Sequence, residues 1–363
     1  MHRLTDLFFR SIKKDQPISQ PISRIKPGVQ AFRVKILAVL AAFCFFMVSA
    51  LWAWPTSIAY EIRFDEAQVV TLAFTDEGDA LITGHADGTV AIRDADDGDV
   101  QRSFKAHKGR VYQLDAQLNG ELIATGTLGK DQVKVWNSRS GELKYSLSQF
   151  DETFGLAFSS DNKFLVISGA RAGRTYLELW NMQTGSKVST LGSFAVNDFV
   201  PGKILFSSDS QKIFVSVQNR LHGIHIWSVN GQKLKTIPYS DDIISMSLHQ
   251  NESIAVGATF KSQVVVIDLN TGRVLRTMSG HKGHVTSVAR IDEHHAVSVS
   301  YKRDPTGPFI IWDIRTGNRV ATVSEKISSI NQVAVNPKTG DIVLALNTFG
   351  NLGNPSTLVV YEN

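Results

Sequence analysis

One cysteine, Cys44, is present among 363 residues, so no disulfide can form within the chain and cysteine usage gives no clue to a redox compartment. No glycine-rich phosphate loop links a strand to a helix, and no Gly-x-Ser-x-Gly elbow occurs. The ten histidines do not fall at zinc-ligand spacings: His294 and His295 are adjacent, and His281 and His284 flank Lys282 and Gly283. These absences leave no nucleophile to nominate, so no catalytic residue, metal or cofactor is expected. Charge of one sign is also scarce outside a single segment. Residues 1–35 hold eight Lys and Arg against Asp6 and Asp15, a net of +6, so the other 328 residues carry −2 of the total of +4. A basic charge confined to a short tail is no argument for nucleic-acid binding by the rest.

The longest apolar run is Ile36 to Trp54, nineteen residues without a charge of which only Ser49 is polar. That is about the length a helix needs to cross a bilayer. Trp52 and Trp54 end it before Pro55, as an interfacial anchor and a helix stop would. Eight basic residues precede the run and Arg63 follows it, which predicts a single-pass anchor in the cytoplasmic membrane with a cytoplasmic N-terminus and translocation of everything after Pro55. The alternative is a signal peptide cleaved near Ala59, after the small-x-small pattern Ser57-Ile58-Ala59, giving a soluble periplasmic protein. The tail, with Pro17, Pro21, Pro27 and a doubled Gln-Pro-Ile-Ser, is expected to be disordered.

From Tyr60 onward one theme recurs: an alternating apolar strand closing on a bulky residue and a polar turn. Its closing positions are Arg93, Trp136, Trp180, Trp227, Ile267, Trp312 and Tyr361, spaced 43, 44, 47, 40, 45 and 49 residues apart. These spacings bracket the four-stranded blade repeat of about 40–45 residues. The reading is therefore all-β, a seven-bladed propeller over residues 60–363. Glycines 98, 141, 185, 231, 272 and 317 follow the closing strands and suit hairpin turns into an outer strand. Little sequence follows the seventh closing strand, and Tyr60–Phe64 alternates suitably, so it is assigned as the missing outer strand of blade seven.

Residues 60–363 resemble the WD-repeat family, named for a Trp-Asp pair that ends the third strand. Trp312-Asp313 is the one full pair, Gly280-His281 the one full Gly-His before a first strand, and Ala106-His107 is close to it. The resemblance implies a buried hydrogen-bonded set of His107, Thr125, Asp131 and Trp136, with Thr83 and Asp87 as a partial set in blade one, where Arg93 replaces the Trp. Trp180, Trp227, His281, Trp312 and Asp313 are assigned structural roles on the same ground. The family implies a non-enzymatic binding scaffold. The rival class is a propeller enzyme or small-ligand binder, for which the Asp-x-x-Thr-Gly turns at 268–272 and 313–317 resemble quinone-dependent dehydrogenases. A lactonase-like hydrolase would instead require carboxylates and His converging at the channel mouth.

The loops joining second to third strands should share one face of the ring. They carry Lys130, Arg171, Arg174, Arg220, Lys261, Lys302 and Arg303, with His107, Lys108, Arg110, His281, Lys282 and His284 in the adjoining loops. That face is expected to be basic and to dock an acidic protein partner, while the opposite face holds Asp76, Glu77, Asp79, Asp96, Asp97 and Asp99. The degenerate repeats point to a bacterial periplasm; Asn251-Glu252-Ser253 would accept a glycan only in a eukaryotic secretory route.

Overall fold

The computed structural model describes residues 58, 60–64, 67–75, 77–300, 309–323, 330–346 and 356–362. Among these residues, twenty-eight strands form seven antiparallel four-stranded sheets in a ring. The innermost strands are β2 (Val69–Phe74), β6 (Val111–Ala116), β10 (Glu152–Phe158), β14 (Val200–Phe206), β18 (Ile243–Leu248), β22 (Val285–Arg290) and β26 (Ile330–Val335). Next come β3 (Ala80–His85), β7 (Leu122–Thr127), β11 (Phe164–Arg171), β15 (Lys212–Gln218), β19 (Ile254–Thr259), β23 (His295–Ser300) and β27 (Ile342–Leu346). The third ring is β4 (Thr89–Asp94), β8 (Asp131–Asn137), β12 (Arg174–Asn181), β16 (Gly223–Ser228), β20 (Gln263–Asp268), β24 (Phe309–Asp313) and β28 (Ser356–Tyr361). The outer strands are β5 (Val100–Lys105), β9 (Leu143–Phe150), β13 (Ser186–Ala195), β17 (Lys233–Pro238), β21 (Val274–Ser279) and β25 (Arg319–Val323), with β1 (Tyr60–Phe64) completing blade seven.

Closure occurs where the sequence pattern placed it: β1 pairs antiparallel with β28, Tyr60 opposite Val360 and Phe64 opposite Ser356. The six turn glycines all take positive φ, between 67° and 90°, a region without steric cost only for glycine. Every innermost strand also carries a register shift near its start, such as Val69/Thr71 and Val111/Gln113, which adds a residue and sharpens the local twist beside the channel. The sequence pattern gave no sign of these bulges, because each adds a single residue to an otherwise regular alternation.

The apolar core is divided among the seven seams between blades. Leu122, Val133, Val135 and Phe150 of blade two meet Leu156, Phe158, Leu165 and Ile167 of blade three, and the other six seams are built alike. Two faces result. The upper face carries the loops between second and third strands and the loops between blades; the lower face carries the first-to-second and third-to-fourth loops. Among the described residues no helix is long and apolar enough to cross a membrane, and the apolar run of residues 36–54 and the tail of residues 1–35 lie outside them.

Gly98 sits at the closing seam at φ +78, and a Cβ there would meet Ile62 Cδ1 of β1 at 2.2 Å. Gly98→Ala therefore combines left-handed backbone strain with overpacking and should cost about 3 kcal/mol. Gly173→Ala, at φ +73 with nothing within 4 Å, should cost only about 1 kcal/mol. Denaturant unfolding of the two variants checks the difference.

Candidate functional site

Blade two brings together the four residues that the family resemblance singled out. His107 Nδ1 lies 2.8 Å from Asp131 Oδ2, His107 Nε2 lies 2.8 Å from Thr125 Oγ1, and Trp136 Nε1 donates to Thr125 Oγ1 at 2.9 Å. Burial holds His107 below its ordinary pKa and so keeps the ring neutral. The Nδ1–H donates to the Asp131 carboxylate, which leaves Nε2 to accept from the Thr125 hydroxyl. The set ties the loop before blade two to its second and third strands. Blade six repeats part of it: Ser298 Oγ lies 2.7 Å from His281 Nε2 and accepts from Trp312 Nε1 at 2.7 Å.

Elsewhere the set is remodelled. In blade one Asp87 is not part of it. Its carboxylate accepts from the Thr89 amide and hydroxyl within its own turn, and Thr83 pairs instead with His85 at 3.0 Å. Arg93, in the Trp place, donates to the Gly98 carbonyl at 3.0 Å. Ile167 and Val215 occupy the strand position of Thr125 in blades three and four, as the Leu165–Trp180 and Ile213–Trp227 pairings show. Trp180 donates to Glu178 at 3.3 Å, while Trp227 stacks on His225, their ring centroids 5.7 Å apart. Asp313 works in its turn: burial opposes its ionisation, but the Arg315 guanidinium and the Thr316 and Arg315 amides hold it down at about 2.

Glu178 is the functional-looking residue that sequence reasoning missed. It is fully buried, yet Arg171 reaches it at 2.8 Å and Lys187 at 3.5 Å, and the Ser148 hydroxyl of blade two donates to it. These contacts outweigh burial and hold its carboxyl below the usual range. No spacing in the sequence pairs Ser148 with Glu178, since only the seam between blades brings them together.

The expected basic face is more balanced than the loop cations suggest. Arg171 is committed to Glu178 and lies 4.1 Å from the Tyr176 ring centroid, and Arg174 donates to the Ser193 carbonyl and hydroxyl. Lys130 faces Asp151 at 3.7 Å, Arg220 faces Asp198 at 3.5 Å, and the Lys261 amide donates to Asp241. The carboxylates come from loops between blades, which the ring folds over the same face. Lys302 and Arg303, and Asp76 of the opposite face, lie outside the described residues. The upper face also carries exposed apolar side chains: Leu128, Leu221 and Phe260 are 47%, 40% and 49% exposed at loop tips, as Val100 and Leu143 are on the outer strands, and Phe260 stacks on His284 with centroids 3.8 Å apart.

The lower face, by contrast, is stitched from blade to blade. Asn336 donates to the Gly78 carbonyl at 2.9 Å, Gln117 to the Asn162 carbonyl at 2.8 Å, and the Asp161 amide to the Ser210 hydroxyl at 2.9 Å. Outer-strand side chains add latches onto the next blade's hairpin: Arg102 on Ser140, Tyr145 on Met182 and Gln183, Lys235 on Leu269, Arg276 on Arg315. Among the described residues, no three His, Cys, Asp or Glu side chains gather as a metal site.

Thr125→Val removes the hydroxyl that serves two buried rings and should cost roughly 2–4 kcal/mol in denaturant unfolding. Ser168→Ala, which removes a buried hydroxyl without a hydrogen-bond partner, should change stability by less than about 0.5 kcal/mol. His225 is buried and, through desolvation, pushed down to about 4 from 6.5. Its neutral form is favoured by the fold, so its contribution is present above pH 6.5 and is lost as pH falls toward 4, roughly 3 kcal/mol in all. His225→Phe should flatten stability across that window.

Residues 50–119 match the model of the anaphase-promoting complex subunit 4 WD40 domain. Over 285 residues the chain is 22% identical to the periodic tryptophan protein 2 homolog of Mus musculus, covering 77% of this chain and 30% of that protein. Autophagy-related protein 16 of Arabidopsis thaliana is 30% identical over 127 residues, 34% of this chain and 24% of its own. The serine-threonine kinase receptor-associated protein of Gallus gallus is 25% identical over 296 residues, 69% of this chain and 80% of its own. The chain thus spans under a third of the first two relatives and most of the third. It is a seven-bladed β-propeller similar, through most of its described residues, to WD-repeat proteins.

Proposed function

We propose that this chain is a non-enzymatic scaffold, held in the cytoplasmic membrane by residues 36–54, that binds a protein partner on the upper face of its propeller outside the cytoplasm. The observation that carries the reading is the contrast between the faces. Lower-face polar groups are spent on neighbouring blades, whereas the upper face leaves Leu128, Leu221 and Phe260 exposed beside Lys130, Arg220 and Lys261. Exposed surface ion pairs are worth only about 0–1 kcal/mol, so Lys130 and Arg220, more than three-quarters exposed, stay available to an incoming carboxylate. Apolar tips flanked by cations suit a partner segment that mixes acidic and apolar side chains.

The likeness to WD-repeat proteins, one of them named for its association with a receptor, supports binding over catalysis. The tether rests on the nineteen-residue apolar run and the eight basic residues before it. The relatives reported above are eukaryotic, so the periplasmic setting rests on that flanking charge and on repeat degeneracy alone.

Combining Lys130→Glu, Arg220→Glu and Lys261→Glu with Leu128→Ser and Phe260→Ser should abolish recovery of cross-linked partners from membranes, with an unchanged cooperative unfolding transition. Undiminished recovery would sink the docking face. A reporter fused after Asn363 should be active only outside the cytoplasm; activity confined to the cytoplasm would reverse the topology.

A further inference from the structure

At its lower end the central channel opens into a mouth of about 320 Å³ whose lining mixes polar groups, Thr75 and Ser160 among them, with the apolar side chains of Phe74, Leu118, Phe158 and Phe206. Two charged side chains also line it, Asp115 of β6 and Lys203 of β14. Lys203 also borders the wider channel cavity of about 600 Å³ above, so it stands where the two spaces meet. The two residues belong to blades two and four, with blade three between them.

These unlike charges share one cavity without closing on each other. Among the described residues neither Asp115 nor Lys203 forms an ion pair, and the lysine acts on the aspartate only through space. One carboxylate oxygen of Asp115, Oδ2, accepts the Phe158 amide at 2.7 Å. Burial pushes the carboxyl up to about 6 against the pull of Lys203, as expected where a nearby cation does not neutralise it. Both side chains are half-buried, and both line a mouth that also presents phenyl and aliphatic groups. A ligand that bridges the gap must carry a cation at one end, an anion at the other, and an apolar body.

We propose that this mouth binds a small zwitterion with an apolar substituent, an α-amino acid in chemical class, with its ammonium on Asp115 and its carboxylate on Lys203. Binding involves no covalent step. The site is separate from the upper-face docking surface and does not depend on it.

The test is titration calorimetry on the full-length chain with L-phenylalanine and L-leucine as probes, beside 3-phenylpropanoate and 2-phenylethylamine, which each lack one charge. At least one amino acid should bind, with each single-charge analogue at least about tenfold weaker, the loss of one charge-assisted contact. Asp115→Asn and Lys203→Met should each weaken the amino acid by a similar factor, and affinity should fall below pH 6 as Asp115 takes up a proton. Absence of binding by both amino acids at millimolar concentration would overturn the proposal. Equal binding by the single-charge analogues would overturn it too, by showing apolar contact alone. The analogue series on the unmodified chain decides the matter even if a variant fails to fold.

Discussion

Each blade is a sheet that is apolar on both faces, and only another blade can cover either one. That constraint organises the rest of the molecule. A sandwich of two sheets would still expose two outer faces, so coverage is complete only when the row of blades returns to its start. The seven apolar clusters follow from this, one at each seam and none along the axis, where the innermost strands line an open channel. Closure through β1 is thus as much a requirement of the core as of strand pairing.

Polar chemistry is fitted around those seams. Where the second strand offers a hydroxyl, at Thr83, Thr125 and Ser298, a histidine hydrogen-bonds to it; in blades two and six the tryptophan indole does so as well. Where that position is Ile167 or Val215, the neighbouring ring finds another partner, a carboxylate in blade three and a stacked imidazole in blade four. The degeneracy of the repeat signature has this physical meaning. The fold needs most of its buried polar groups satisfied, and several side-chain sets accomplish that.

The repeat count, the turn glycines and the closing strand were legible because they depend on local alternation and spacing. Blade two's His107, Thr125, Asp131 and Trp136 were legible through a family pattern. Contacts across seams were not. Glu178 reads as an ordinary outward position of a strand until Ser148 and Arg171 are folded against it, and Asp87 reads as a partner for Thr83 until its turn claims the carboxylate. The balance of charge on the upper face was hidden for the same reason, since Asp151 and Asp198 lie in loops of another kind that only the ring brings beside Lys130 and Arg220.

The pairing of β1 with β28 also sets an order of events. Tyr60 and Val360 stand 300 residues apart, and joining the ends of a loop that long costs about 5 kcal/mol of chain entropy. During synthesis β1 emerges before the other strands of the ring and must wait, unpaired, for β28, the last of them. Throughout that interval blade one shows an uncovered apolar face and β28's future neighbour is a bare strand edge, the state most prone to pairing with another chain. The propeller's most vulnerable moment is therefore its last step of assembly, when the ring locks.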